Sequence, residues 1–200
     1  GANDHIPDMA KGRISVASAA QAMTVVNKII NYEKNPPIDS LFYNTGLNCA
    51  QFQDDDYDNR CDRRFIHTSE EILDYLTAKG YDIKRVYYAD TTNSFPLFYN
   101  LSYYSNGQSL PPALLSPTFN WHGNSSHINS HINNGVFYVI HRDHGYSGGT
   151  GWHAPYYVSS HINSLSNGNK TPLVFSINCH TGEFTLPECF AEKFLRHANG

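Results

Sequence analysis

Two side chains with catalytic chemistry each follow a strongly apolar segment of the chain. His144 comes shortly after the apolar segment 136–140, and Cys179 comes shortly after the similar segment 172–177. Short apolar segments with β-branched and aromatic residues are typical of interior strands of a parallel sheet. Because the carboxyl ends of such strands meet at one edge, we expect the imidazole and the thiol to share that edge. A cysteine nucleophile with a histidine partner is the chemistry that this pair suits.

The composition is that of a folded protein with little charge. Of the 200 residues, 40% are hydrophobic and 14% aromatic, and 14 Lys and Arg against 18 Asp and Glu give a net charge of −4. This mild charge, without a basic stripe, argues against nucleic acid as a partner. No apolar segment approaches the ~20 residues that span a bilayer, so we expect no membrane span. Many Asn, Ser and Tyr with few Lys favour a secreted or cell-surface protein.

Strands and helices are predicted to alternate along the chain. The apolar spacing and the capping residues predict strands over 41–46 and 83–89, and helices over 19–35, 69–79, 125–134, 159–165 and 189–197. This order indicates an α/β sandwich with a mostly parallel sheet flanked by helices. Residues 91–124 contain four prolines and are expected to form an irregular insertion.

An ordered set of segments resembles the gingipain-type cysteine peptidases, a family of the caspase-like clan. The motifs that carry the resemblance are Asp-His-Gly at 143–145 and Asn-Cys-His-Thr-Gly-Glu-Phe at 178–184, with further matches at 3–8, 12–15, 26–34 and 187–192. The resemblance implies a three-layer caspase-like sandwich over residues 1–200. It also implies that these residues belong to a longer catalytic domain, of a secreted or surface-anchored bacterial protein, with the rest of the same polypeptide as a partner.

The resemblance further implies a cysteine endopeptidase that acts on protein or peptide substrates and requires no cofactor. Cys179 would attack the scissile carbonyl, and His144 would protonate the leaving amine. The backbone N–H groups of Gly145 and Cys179 would form the oxyanion hole. A preference for a basic residue before the cleaved bond would place Asp62 at the floor of the substrate pocket. Trp152 would either wall the cleft or belong to the core.

Two residues beside the reactive pair depart from the family pattern. Asp143 stands where a glycine is expected before the histidine, and His180 stands where an apolar residue usually follows the cysteine. These departures leave an alternative open, in which the domain is catalytically degenerate and has a structural or secretion-linked role. Arg63 and Arg64 lie next to Asp62 and could invert the preference of the pocket.

A zinc site is a further alternative near the strand ends. The residue types that bind zinc there are His141, His144, Cys179 and His180. The His-x-x-His spacing at a strand end is poor for joint ligation, and no Cys-x-x-Cys pair accompanies it. We therefore expect no metal at the site and interpret His141 as packing at the end of its strand.

The acidic segment after the first predicted strand has two open interpretations. Its carboxylates could hold calcium through oxygen ligands, which hard cations prefer. The four residues are Asp54, Asp55, Asp56 and Asp58. They lack the Gly and Glu positions of an EF-hand loop, which favours a solvated acidic loop. Cys49 and Cys61 flank the segment, and either a disulfide or two free thiols fit this spacing.

Overall fold

The computed structural model describes residues 12–99 and 107–200, so the motif at 3–8 lies outside the described residues. Four strands form the central sheet: β1 (Thr45–Phe52), β2 (Asp82–Ala89), β3 (Tyr138–Arg142) and β6 (Leu173–Ile177). All neighbours are parallel, in the order β2-β1-β3-β6. A small antiparallel hairpin of β4 (Gly151–Trp152) and β5 (Tyr157–Val158) lies between β3 and β6 in the chain.

Helices pack on both faces of the sheet and form the two outer layers. They are α1 (Ala19–Lys34), α2 (Ser40–Asn44), α3 (Phe65–Thr77), α4 (Ser125–Asn134), α5 (Ser159–Ile162) and α6 (Phe190–Arg196). One face of the sheet, with Leu47 and Val139, shares a core with α4, α5 and α6. The other face, with Phe52 and Tyr87, packs against α3. The three-layer α/β sandwich expected from the sequence is therefore confirmed.

Most predicted elements agree with the structure. The bounds of α1, β2, α4, β6 and α6 lie within one residue of the predicted ones, whereas α5 ends earlier and α3 begins earlier than expected. Helix α3 starts at Phe65, and Ser69 is buried inside it instead of capping it. None of the helices in the described part of the chain is long and apolar enough to cross a membrane.

The predicted strand over 41–46 is wrong. The Asp39 carboxylate accepts a hydrogen bond from the backbone N–H of Leu41, which caps the short helix α2 instead. The strand begins only at Thr45 and continues to Phe52, with its middle residues buried on both faces of the sheet. Strand β1 therefore ends immediately before Gln53, a residue of the candidate site described below.

Residues 91–124 are irregular wherever the structure describes them, apart from a single 3-10 turn at Pro112–Leu114, and residues 100–106 lie outside the description. The segment is nevertheless part of the core. Leu114 and Trp121 are buried with the residues under α3. The backbone N–H of Ala89 donates to the carbonyl of Trp121 at 2.9 Å, and that of Gly123 donates to Tyr87 at 2.8 Å. The segment therefore covers the outer edge of β2.

A glycine lets β1 and β3 approach closely. A Cβ atom on Gly46 would overlap the ring of Tyr138, which lies across it. The Tyr138 hydroxyl donates to Asn48 Oδ1 at 3.3 Å, and Asn48 Nδ2 donates to the carbonyl of Ser69 at 2.8 Å. These contacts join β1, β3 and α3 into one unit, which fixes where their ends lie relative to one another.

A buried carboxylate attaches α3 to β2. Glu70 accepts hydrogen bonds from Arg85 Nε and Nη2 at 2.9 and 2.8 Å and from the Tyr87 hydroxyl at 2.6 Å. Burial raises the pKa of the Glu70 carboxyl, and the bonds from Tyr87 and Arg85 oppose that rise. Since a buried charge is costly without partners, these three hydrogen bonds favour the observed position of α3 against β2.

Replacing Glu70 therefore tests how α3 is held. Glu70→Ala should lower the free energy of unfolding by about 2–3 kcal/mol, because Arg85 and Tyr87 lose their shared acceptor. Glu71→Ala is the matched control on the same helix, because Glu71 is largely exposed and its ion pair with Arg64 should be worth less than about 1 kcal/mol. Urea unfolding of both variants measures the difference. Equal losses would contradict a special role for Glu70.

Candidate active site

Strands β3 and β6 end at the same level of the sheet. Their register pairs Arg142 with Ile177, and His144 and Cys179 each lie two residues further along the chain. A Cβ atom on Gly145 would overlap the backbone carbonyl oxygen of Cys179, so the two chain segments touch beyond the strand ends. The side chains of His144 and Cys179 both lie on the exposed surface. The two predicted residues thus both lie at the carboxyl edge of the sheet, beyond neighbouring strands.

The imidazole of His144 is oriented by groups from two other elements. Its Nε2 lies 3.0 Å from Gln53 Oε1, at the carboxyl end of β1. The ring of Phe65, at the start of α3, meets it edge to face with centroids 5.2 Å apart. Gln53 Nε2 donates to Asp55 Oδ2 at 2.6 Å, which turns the amide oxygen toward His144. His144 therefore donates from Nε2, and its lone pair is on Nδ1.

Asp62 lies in the loop that starts at Gln53. Its backbone N–H donates to the carbonyl of Gln53 at 2.8 Å. Its Oδ2 accepts a hydrogen bond from the backbone N–H of Asp55 at 2.6 Å, and its side chain is exposed. The carboxylate is thus held within the loop that orients His144, with its second oxygen available to solvent.

The acidic residues of this loop are engaged mainly in local hydrogen bonds. Asp54 accepts from the backbone N–H groups of Asp58 and Asn59 at 3.1 and 2.9 Å. Ligand atoms of Asp54, Asp56 and Asp58 lie within 4.8 Å of one another, the only such group of three among residues 12–99 and 107–200. Desolvation and the nearby Asp58 carboxylate raise the pKa of Asp56. These hydrogen bonds are made within the acidic loop itself. Calcium binding stays a prediction.

The residues that suggested zinc lie apart, and no disulfide bond links Cys49 to Cys61. The four residues do not form a shared ligand group in the described part of the chain. Both ring nitrogens of His141 are within hydrogen-bond distance of other protein groups.

Cys49 and Cys61 are free, buried thiols in the two different cores of the sandwich. Burial raises the pKa of both thiols, so neither is a reactive thiolate.

His141 is a buried part of the support below the strand ends. Its ring is stacked on Trp152 with centroids 4.3 Å apart and planes 1° apart. Its Nε2 lies 3.0 Å from the carbonyl of Ala154, and its Nδ1 lies 2.7 Å from Asn178 Nδ2. Burial lowers the pKa of His141 to about 3, so the ring is neutral at physiological pH. The interpretation as strand-end packing agrees with this environment.

Trp152 lies in the core and not in the wall of a cleft. Its side chain has no exposed surface, and it packs against Tyr157 and Phe190 as well as against His141. Its indole N–H donates to Ser176 Oγ at 2.7 Å. A substrate therefore has no direct access to it in this structure, and of the two alternatives for Trp152 the core is the one observed.

The two residues that depart from the family pattern both bind other groups. Asp143 is buried, and its Oδ2 accepts from the backbone N–H of Ala154 at 2.7 Å and lies 3.6 Å from His153 Nδ1. Burial raises the pKa of this carboxyl. His180 is exposed, with Nδ1 3.3 Å from Glu183 Oε2. Asp143 therefore supports the loop after β3, and His180 belongs to the surface.

Sequence reasoning missed Gln53, Phe65 and Asn178 as residues of this site. Gln53 directly follows the third strand that ends at this edge, so a correct strand over Thr45–Phe52 would have pointed to it. Asn178 precedes Cys179, but its partner is His141 on another strand, 37 positions away in the sequence. A contact of this kind has no local sequence signal.

The fold and the pair of residues define the class of this protein. It is a caspase-like α/β sandwich with a cysteine and a histidine at the carboxyl edge of the parallel sheet. Residues 1–200 match the family model described as peptidase family C25. The chain belongs to this family, and the resemblance to gingipain-type peptidases is confirmed.

Gingipains of Porphyromonas gingivalis are similar to this chain in sequence. Gingipain R2 is 23% identical over 197 residues, which cover 97% of this chain and 22% of the relative. Lys-gingipain HG66 is 24% identical over 195 residues, which cover 96% of this chain and 9% of the relative. The chain thus spans less than a quarter of the length of these relatives.

Two solved structures share the fold. The crystal structure of the Arg-specific cysteine proteinase gingipain R matches with a TM-score of 0.68 at 23% identity, over 97% of this chain and 37% of that chain. A complex of Porphyromonas gingivalis RgpB pro- and mature domains matches with a TM-score of 0.67 at 22% identity, over 97% of this chain and 38% of that chain. At such identities the similarity establishes the fold.

The contact between Gly145 and Cys179 can be tested by adding one methyl group. Gly145→Ala should lower the free energy of unfolding by about 1–3 kcal/mol, because the new Cβ would overlap a backbone carbonyl that cannot rotate away. Gly182→Ala is the matched control, since its Cβ would meet only Phe184, at an ordinary 3.8 Å. Chemical denaturation measures both variants. A Gly145 variant as stable as the control would show that the strand ends are further apart than described.

Proposed function

We propose that this chain carries the active site of a cysteine endopeptidase that hydrolyses peptide bonds with Cys179 and His144. The observation that carries the proposal is the meeting of the two strand ends, where the register pairs Arg142 with Ile177 and Gly145 touches the backbone of Cys179. Membership of peptidase family C25 supports the same activity.

The chemistry follows from the tautomer of His144. Its Nδ1 takes the proton of the Cys179 thiol, and the thiolate attacks the scissile carbonyl carbon. When the C–N bond breaks, the imidazolium returns the proton to the leaving amine, and a thioester remains. Water then gives a proton to His144 and attacks the thioester, which releases the carboxylic product and the thiol.

The oxyanion of each tetrahedral intermediate would be stabilised by backbone N–H groups of Gly145 and Cys179. The contact between Gly145 and the backbone of Cys179 supports this role, because it places the two backbone segments side by side. The loss of one such donor typically reduces turnover by about 10²–10³-fold. Gly145 would thus serve both the packing of the strand ends and the binding of the oxyanion.

Gln53 would act as the third member of the site. Its amide oxygen accepts from His144 Nε2 at 3.0 Å, and its own orientation is held by Asp55. A neutral acceptor at this position orients the imidazole without adding a charge. In this respect Gln53 would differ from a carboxylate, which would also favour the imidazolium.

A preference for a basic residue before the cleaved bond is part of the proposal. Its support is the exposed carboxylate of Asp62, in the loop hydrogen-bonded to Gln53. Two relatives are named for Arg and Lys specificity, which fits a pocket of this charge. Arg63 and Arg64 beside Asp62 would weaken the preference.

The same family relationship supports two further parts of the proposal. The protein would be secreted or surface-anchored by a bacterium, and this chain would contact further parts of the same polypeptide.

Substitution of the nucleophile is the direct test. In the full-length protein, Cys179→Ala should abolish iodoacetamide labelling at the site and reduce cleavage of a pooled peptide library by at least about 10³-fold. Cys61→Ala should keep both, since the Cys61 thiol is buried in the core that packs against α3. The wild-type products, read by mass spectrometry, report the residue before the cut, which we expect to be Arg or Lys.

Each outcome of this test bears on a different part of the proposal. Cleavage and labelling that survive Cys179→Ala would overturn the assignment of the nucleophile. A wild-type protein that cleaves none of the peptides would support a degenerate domain with a structural or secretion-linked role. Cleavage after apolar or acidic residues would leave the mechanism intact and refute the role of Asp62.

The role of Gln53 makes a prediction about pH. Gln53→Glu, combined with Asp55→Asn so that the hydrogen bond between positions 53 and 55 is kept, places a carboxylate beside His144 Nε2 and should favour the imidazolium. The alkaline limb of kcat/KM should therefore move to higher pH by about one unit, because the thiolate–imidazolium pair persists longer. Asp55→Asn alone is the control, because an asparagine there can still accept from Gln53 and adds no carboxylate beside His144. An unchanged alkaline limb would refute a direct contact between Gln53 and His144.

A further inference from the structure

We propose that Asn178 is a positioning residue that sets the place of the Cys179 thiol by joining the ends of β3 and β6. The inference rests on the proposed peptidase function. It concerns a residue that does not itself contact the substrate, and it depends on a buried polar network below the reactive pair.

The side chain of Asn178 uses both ends of its amide. Its Nδ2 donates to His141 Nδ1 at 2.7 Å, which crosses from β6 to β3. Its Oδ1 accepts from Thr181 Oγ1 at 2.7 Å and from Ser176 Oγ at 3.2 Å. The amide is therefore held in one orientation, with nitrogen toward the ring and oxygen toward the hydroxyls. Gly145 lies directly beside it, since a Cβ there would meet Asn178 Oδ1 at 3.2 Å.

The anchor of Asn178 is rigid. His141 is fully buried between its stack on Trp152 and its hydrogen bond to the carbonyl of Ala154. Because the ring receives a hydrogen bond at Nδ1, it carries its proton on Nε2 and donates to Ala154. Trp152 also donates to Ser176, so two of the three partners of Asn178, His141 and Ser176, contact the same indole. Such a satisfied buried network holds one arrangement.

Asn178 also closes the turn that contains Cys179. The backbone N–H of Thr181 donates to the carbonyl of Cys179 at 2.8 Å. The residue between them, His180, has a φ of +63°, a left-handed conformation that is unfavourable for a side chain of this size. The hydroxyl of Thr181 reaches back to Asn178, so both ends of the turn are tied together. Strain of this kind persists only where its surroundings enforce it.

The consequence for the reaction is geometric. Without Asn178 the turn is released at one end, and β6 loses its side-chain link to β3 just before Cys179. A displacement of about 1 Å between reacting groups can cost roughly 10²-fold in rate. We therefore expect the loss in kcat rather than in KM, since the substrate pocket at the loop after β1 is unchanged.

A double-mutant cycle tests this role in the full-length protein. Asn178→Ala should reduce kcat by about 10–100-fold with KM changed less than about threefold, and it should slow alkylation of Cys179 by iodoacetamide at pH 7. In the His144→Ala background, adding Asn178→Ala should have no further effect on alkylation, because the imidazole to be aligned is gone. Asn163→Ala, at an exposed position, is the control and should match the wild type.

Two conservative changes at Thr181 keep the test valid if Asn178→Ala does not fold. Thr181→Val has the same shape but lacks the hydroxyl that donates to Asn178, and it should show the same kind of kcat loss to a smaller extent. Thr181→Ser restores the hydroxyl and should recover most of the wild-type rate. Thermal unfolding of each variant identifies those that are folded.

The results distinguish a positioning role from a purely structural one. Folded variants with wild-type kcat and alkylation rate would overturn the proposal, as would an equal loss in alkylation in the presence and absence of His144. Activity that survives Cys179→Ala would instead refute the proposed function, independently of Asn178. Loss of kcat in Thr181→Val that Thr181→Ser recovers would support the positioning role.

Discussion

The structure depends on one constraint: two neighbouring parallel strands must end at the same level and then stay in contact. The register of β3 and β6 satisfies the first condition, and the missing side chain of Gly145 satisfies the second. Parallel strands place their carboxyl ends together by construction, whereas antiparallel neighbours would place His144 and Cys179 at opposite edges. The hairpin after β3 and the turn after β6 both start from this contact.

The site combines a rigid lower layer with an exposed upper one. Below the strand ends, His141, Trp152 and Asn178 form a neutral network with each polar group near a partner. Above them, His144 and Cys179 are exposed to solvent. This division has a physical reason, because a buried charge is costly whereas a reactive group must be accessible. Burial keeps His141 uncharged, so the three side chains of the lower layer carry no charge.

The fold and the positions of His144 and Cys179 at one edge of the sheet were predictable because both follow local patterns. Apolar segments marked β3 and β6, and helical spacing marked α1 and α4 within one residue. The remaining features depend on side-chain contacts that the pattern of apolar residues does not show. The capping carboxylate of Asp39 converted the predicted strand over 41–46 into a helix, which hid Gln53 from sequence reasoning. The burial of Trp152 depends on His141 and Ser176, which lie on two different strands, and periodicity carries no information about such a contact.

The close approach of Gly46 and Tyr138 links two positions that are far apart in the sequence. A side chain at position 46 fits only if the ring at position 138 is replaced by something smaller, and a smaller residue there removes the hydroxyl that serves Asn48. Gln53 directly follows β1, and His144 lies two residues after β3. The spacing of these two strands therefore also sets the length of the hydrogen bond between Gln53 and His144. Positions 46, 48 and 138 should therefore change together during evolution, as a correlated set that preserves the distance between Gln53 and His144.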